Sequence, residues 1–203
     1  MVYESLLATR LTTMTEAPRL TLGRAALVGL IDRYLRGLLD PFVSLLEVQK
    51  LMYFLQEAGQ ELKLPYQKGP YGPYAPDLRH VMKRLEGHLI AGYADGDDPT
   101  KPLTLVDGAR EDAQAFLADS GESAARFGRV TQLVDGFETP YGMELLATVH
   151  YAATRLGATT PDEAIGLVHG WDERKRQFTP TQIRLAWKVL TEQGWLTDRP
   201  ALA

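Results

Sequence analysis

Few residues of this chain could do chemistry, and their spacing is poor for it. The four histidines, His80, His88, His150 and His169, lack both the three- or four-residue helical spacing and the neighbouring carboxylates of a zinc site. His150 falls on the apolar side of its helix and reads as a hydrogen-bonded core residue. Asp95, Asp97 and Asp98 open like a calcium loop. Pro99 then takes the next ligand position, and the later glycine and glutamate are out of register. The absence of cysteine excludes disulfides, thiolate metal sites and cysteine nucleophiles. The sequence contains no G-x-S-x-G elbow, no phosphate-binding G-x-x-x-x-G-K-[ST] loop and no G-x-G-x-x-G after a strand. It therefore predicts no catalytic residue, no metal, no cofactor and no enzyme.

Surface chemistry concentrates in three stretches. Gly69-Pro70-Tyr71-Gly72-Pro73-Tyr74 is a stiff loop, because prolines fix φ and glycines permit unusual turns. It places backbone N–H groups and two phenols just before a helix start, which favours an anion; equally, it only turns the chain while its tyrosines pack. Between Glu86 and Glu122 nine acids face Lys101 and Arg110 alone. This is either an ordinary solvated face or a surface complementary to a basic groove. Arg174-Lys175-Arg176 precedes a helix presenting Arg184 and Lys188, the layout of a helix-turn-helix reader. Asp172, Glu173, Glu192 and the net charge of -4 oppose that reading, and direct nucleic-acid binding is disfavoured.

The elements that must position these residues are mostly helices. The 203 residues, 45% hydrophobic and 24% charged, suit one sizeable folded domain. Residues 1–20 read as a leader or junction, 21–197 as the helical domain and 198–203 as a tail. Leu27, Ile31, Tyr34, Leu35 and Leu38 recur at helical spacing. Ser44 and Glu47 form a capping box for a second helix with Leu45, Val48, Leu51, Met52 and Leu55 inside. Leu62–Gln67 and Leu103–Val106 are expected to pair as a small two-stranded sheet. A helix from Pro76 buries Leu78, Val81, Met82, Leu85 and Leu89. Glu111–Ala118 and Ser123–Phe137 read as helices with Phe116, Phe127, Val130 and Val134 inward. Thr139-Pro140 opens a long helix, and Thr160-Pro161 and Thr179-Pro180 open two shorter ones as capping boxes. The predicted fold is a mainly α, multi-helix bundle with a small two-stranded β element. No apolar run reaches the length of a membrane span, and the chain reads as cytoplasmic.

Glu47-Val48-Gln49-Lys50-Leu51-Met52-Tyr53-Phe54-Leu55, followed by Lys68-Gly69-Pro70-Tyr71-Gly72-Pro73-Tyr74-Ala75-Pro76-Asp77-Leu78-Arg79, closely resembles the C-terminal domain of DarG antitoxins. The segments also look like the wider Panacea, or SocA-like, antitoxin domains. Detailed similarity covers about Leu46 to Leu89. The resemblance implies a cognate DarT-type toxin, a DNA ADP-ribosyltransferase, as partner. It implies direct neutralisation, by covering the toxin's single-stranded DNA groove. Lys68, Tyr71, Tyr74, Asp77, Arg79, Glu86, Asp95, Asp97 and Asp98 are the toxin-binding residues this implies. Carboxylates would imitate phosphates, and exposed tyrosines would imitate stacked bases. DarG proteins also carry a hydrolase macrodomain whose glycine-rich loop and asparagine are not found in this sequence. The alternative is an adaptor or transcriptional regulator of another toxin system, acting by protease delivery or operator binding.

Overall fold

The computed structural model describes residues 18–37, 42–93, 98 and 100–196. Helix α1 (Leu22–Gly37) leads through strand β1 (Val43–Ser44) into α2 (Leu45–Glu57). Strands β2 (Gln67–Gly69) and β3 (Gly72–Tyr74) precede α3 (Leu78–Leu85), β4 (Ile90–Ala91) and β5 (Pro102–Leu105). Then come α4 (Ala109–Ala118), α5 (Gly121–Val134), α6 (Pro140–Arg155) and α7 (Pro161–His169). A 3-10 turn (Glu173–Gln177) and α8 (Pro180–Glu192) complete the described elements. The chain is mainly α with small sheets, as its apolar periodicity predicts. Leu38, assigned to the first apolar stripe, lies outside the described residues.

Helix starts follow local chemistry. At α2 the Ser44 hydroxyl accepts from the Glu47 N–H, and the Glu47 carboxylate accepts from the Ser44 N–H at 2.6 Å. At α8 Thr179 and Gln182 close the same reciprocal pair behind Pro180. The box expected at Thr160 is only half formed. Its hydroxyl accepts from the Glu163 N–H at 3.2 Å, but the Glu163 carboxylate reaches one residue further back, to Thr159. There it meets both a backbone N–H and a hydroxyl, each at 2.8 Å, and two donors outcompete one.

Helices α2 and α6 form the centre. All eleven residues from Leu45 to Leu55, and all eleven from Gly142 to Ala152, are buried; only helices covered on every side show this. Helix α2 packs against α1, α5 and α6, while α6 also carries α7, α8 and β3. Helices α4 and α5 cover α1. Phe116, expected inside, is 38% exposed on α4, because Ala109 and Ala113 take the inward positions of that helix.

The expected pairing of Leu62–Gln67 with Leu103–Val106 does not form. Gln67, Lys68 and Gly69 pair instead with Tyr74, Pro73 and Gly72, a hairpin closed by two residues. Leu103 pairs with Val43 and Leu105 with Ile90, in the order β1-β5-β4. A two-residue connection costs far less closure entropy than joining strands some forty residues apart, and Gly72 supplies the positive φ of +90° the hairpin needs. Leu64 is held by a side chain: Gln56 bonds both its N–H (2.7 Å) and its carbonyl (3.0 Å). Among the described residues no helix is long and apolar enough to cross a membrane.

Candidate functional site

The two central helices are buried all round, yet α2 contains Gln49 and Lys50, and α6 contains Glu144 and Thr148. Polar groups so placed destabilise the fold unless they are hydrogen-bonded. All four meet the β2–β3 hairpin or its supports. Pro70 and Pro73 have no N–H, so this hairpin is rich in carbonyl acceptors and poor in donors, and the surrounding side chains are donors to match. Lys50 Nζ donates to the Pro73 carbonyl at 2.8 Å. Gln49 clasps Ala75, donating to its carbonyl and accepting from its N–H, each at 3.1 Å. From the other side Trp171 Nε1 donates to the Gly69 carbonyl (3.0 Å) and Lys175 Nζ to that of Pro70 (2.9 Å). Thr148, whose hydroxyl donates to the Glu144 carbonyl, fills the space beside Gly72. A Cβ there would lie 2.8 Å from its Oγ1.

Charge holds this seat together. Lys175 is 0%, Lys50 1% and Glu144 3% exposed. Lys175 Nζ lies 2.5 Å from a Glu144 oxygen, and Arg174 lies 3.7 Å from the other. The buried Lys175 ammonium is thus paired directly with a buried carboxylate, whose charge also acts on Lys50. Burial, reinforced by the Lys175 charge and opposed by Glu144, pushes the Lys50 ammonium down to about 7. Burial also lowers Lys175, against the pull of Glu144.

The outer face of the hairpin pairs rings with cations. The Arg174 guanidinium lies 4.3 Å from the Tyr71 ring centroid, Lys68 Nζ 4.9 Å from that of Trp171, and Arg79 5.6 Å from that of Tyr74. The tyrosines are therefore not the free rings the sequence suggested: Tyr71 is half-buried, and the Tyr74 phenol oxygen is buried with no hydrogen-bond partner.

Of the other residues singled out, Asp77 is exposed and begins α3 without bonding its N-terminal N–H groups. Glu86 accepts from the N–H groups of Gly92 (3.1 Å) and Tyr93 (3.0 Å), and Asp98 accepts from Thr100; both serve local turns. Asp95 and Asp97 lie outside the described residues. Hence Lys68, Tyr71 and Tyr74 share one hairpin, joined through Tyr74 by Arg79, while Glu86 and Asp98 are tied elsewhere. The basic cluster behind the helix-turn-helix reading is divided. Lys175 is buried, Arg184 pairs with Asp162 (2.6 Å) and Lys188 with Glu192 (3.7 Å). His150 is a core residue as expected, its Nδ1 2.8 Å from the Tyr53 hydroxyl.

Sequence reasoning missed Gln49, Lys50, Glu144, Trp171 and Lys175 as a set. The signal was present in part: Lys50 and Glu144 are charged residues within largely apolar helical stretches. Their meeting across three elements is a tertiary fact.

No family model matches the chain. A protein of Thermus aquaticus named DNA ADP-ribosyl glycohydrolase is 43% identical over 188 residues, covering 90% of this chain and 51% of that protein. Proteins of the same name from Mycobacterium tuberculosis and Mycobacterium bovis are 36% identical over 185 residues, covering 84% of this chain and 53% of each. The chain spans about half the length of these curated relatives. Their names overturn the expectation of a DarG-type, toxin-neutralising antitoxin domain without enzymatic activity, and with it the adaptor or regulator alternative: proteins alike over most of this chain are named for a hydrolase. The physical reason for the error is visible. The resembling motifs fall on the hairpin and its seat, where Gln49 and Lys50 hold the Ala75 and Pro73 backbone, and contacts that hold a fold do not by themselves specify what it acts on.

Proposed function

We propose that this chain serves, in the cytoplasm, in hydrolysing the glycosidic bond between ADP-ribose and DNA. The observation that carries the reading is 43% identity across 90% of the chain to a protein named DNA ADP-ribosyl glycohydrolase. Two further relatives of that name support it. In the reaction the oxygen of water bonds to the anomeric carbon of ADP-ribose, the bond from that carbon to DNA breaks, and a proton passes to the DNA atom that leaves. Such a substrate is a polyanion carrying a flat base, so the protein must offer it local positive charge and rigid contact surface. The hairpin, clamped by Lys50, Gln49, Trp171 and Lys175, is a rigid platform of that kind. Glu144 and the two lysines are closed to solvent; their part is to hold the platform, not to move protons on substrate.

The test is turnover of a defined substrate. An oligonucleotide carrying ADP-ribose, incubated with the chain, is expected to return to its unmodified mass with ADP-ribose released, read by mass spectrometry. If the Thermus aquaticus relative clears the same oligonucleotide and this chain leaves it intact, the reading is wrong.

A further inference from the structure

From the outer face of the hairpin we infer that this chain binds single-stranded DNA along a ridge built from Lys68, Tyr71, Trp171 and Arg174, with Arg176 exposed on the same 3-10 turn. The inference deepens the glycohydrolase reading and takes from it only that the substrate contains DNA. Four observations carry it.

First, cations and rings alternate there. Arg174 lies against Tyr71 at 4.3 Å and Lys68 against Trp171 at 4.9 Å. Both rings are only half-buried. A guanidinium lying on a ring offers a second planar face, and bases stack on arginine planes as they do on aromatics. Second, the cations face solvent. Arg174, although 3.7 Å from the buried Glu144 carboxylate, keeps 47% of its side chain exposed, and Lys68 and Arg176 are exposed and make no ion pair with the described residues. Third, the ridge is preorganised. Trp171 and Lys175 are bonded to the Gly69 and Pro70 carbonyls, so β2 and the 3-10 turn are fixed to each other before any ligand arrives. Little ordering entropy is then lost on binding.

Fourth, the local charge opposes the global one. In a chain of net charge -4, the three exposed cations outnumber the neighbouring exposed acids Asp172 and Glu173. Asp172 is also engaged by the Arg174 N–H at 2.9 Å. Net charge therefore argues against strong non-specific DNA binding, and the ridge argues for weak binding at one place. An acidic protein segment would satisfy the cations equally but has no use for the planar faces, and the relatives' names point to DNA.

The experiment is a polarisation titration of the 203-residue chain against a fluorescent, unmodified twelve-nucleotide oligo-dT. Binding is expected to weaken about twentyfold between 50 and 200 mM salt, as about three displaced phosphate counterions require. Lys68→Glu with Arg174→Glu is expected to weaken it at least tenfold further. Arg184→Glu with Lys188→Glu makes the same change in net charge on α8 and is expected to leave it within twofold. Circular dichroism checks each variant. Should the first pair unfold, Arg176→Glu alone, at an exposed position, is expected to weaken binding about threefold. No binding by the native chain, equal loss from both pairs, no loss from Arg176→Glu, or tighter binding of a polyglutamate peptide would each overturn the inference. Because the probe carries no ADP-ribose, the two proposals fail separately. Binding without turnover sinks the glycohydrolase reading, and turnover without ridge-dependent binding sinks this one.

Discussion

Glu144 is the ion-pair partner of the buried Lys175 and of Arg174, and its charge also acts on Lys50, so its removal is worse than the loss of one contact. Glu144→Gln keeps the shape but leaves the buried Lys175 with the Pro70 carbonyl and no ion-pair partner. Breaking a buried pair from one side costs about 3–5 kcal/mol, and urea denaturation should find a loss of that size; a change under 1 kcal/mol would mean that Glu144 is not the counter-ion. Lys50 makes a second prediction, about pH. Its folded value, about 7, lies below the ordinary lysine value of 10.5. Below pH 7 both states are protonated, and the folded state bears the full cost of the buried charge. Between pH 7 and 10 the unfolded chain holds the proton more tightly, so stability must rise with pH, by up to about 1.4 kcal/mol per unit for one proton. Lys175, also lowered by burial, acts in the same direction. Near pH 10 the trend reverses, because Tyr34, Tyr53 and Tyr66 are raised by burial and the unfolded chain loses their protons first. Lys50→Met should flatten the rise in urea midpoints across pH 7–10. An identical slope in that variant would locate the titration elsewhere.

At the scale of elements, what was legible in the sequence was local. Ser44 with Glu47 and Thr179 with Gln182 announce helix starts because both halves of each box lie within four residues. The hairpin was misread because Pro70 and Pro73 suggest a loop, and nothing nearby says that side chains from α2 and the 3-10 turn will serve its carbonyls. Phe116 was misplaced because a short helix with two alanines on its inward side gives a weak stripe. The hairpin's dependence on one glycine is testable. Gly72 sits at φ +90°, and a Cβ would lie 2.8 Å from Thr148 Oγ1. Gly72→Ala therefore combines left-handed strain with a close contact, and a loss of about 2 kcal/mol is expected. Pairing it with Thr148→Ala should recover the contact part and leave the strain. By comparison Ser44→Ala, which removes half a cap, should lower stability by about 1 kcal/mol in the same assay.

Over the whole molecule, two helices with buried central stretches and a hairpin three residues deep make one cooperative body. The sequence displayed the helices, because their apolar stripes are periodic. It did not display the seat, because Gln49, Glu144 and Lys175 are 26, 72 and 105 residues from the hairpin groups Ala75, Gly72 and Pro70 that they serve or adjoin. An isolated two-stranded hairpin is marginal in water. This one is bonded to α2 through Gln49 and Lys50 and to the 3-10 turn through Lys175, and its stability should be that of the core. Amide hydrogen exchange can measure this at one position. The Ala75 N–H bonds no backbone group of the hairpin but the Gln49 side chain at 3.1 Å, so only opening of the seat releases it. Its protection should fall within tenfold of the slowest amides of α2 and α6, where exchange requires global unfolding. In Glu144→Gln all three should accelerate together, since loss of the counter-ion weakens seat and core as one unit. If Ala75 exchanged at loop rates while both helices stayed protected, the hairpin would be an appendage, and the rigidity on which its outer ridge depends would be lost with it.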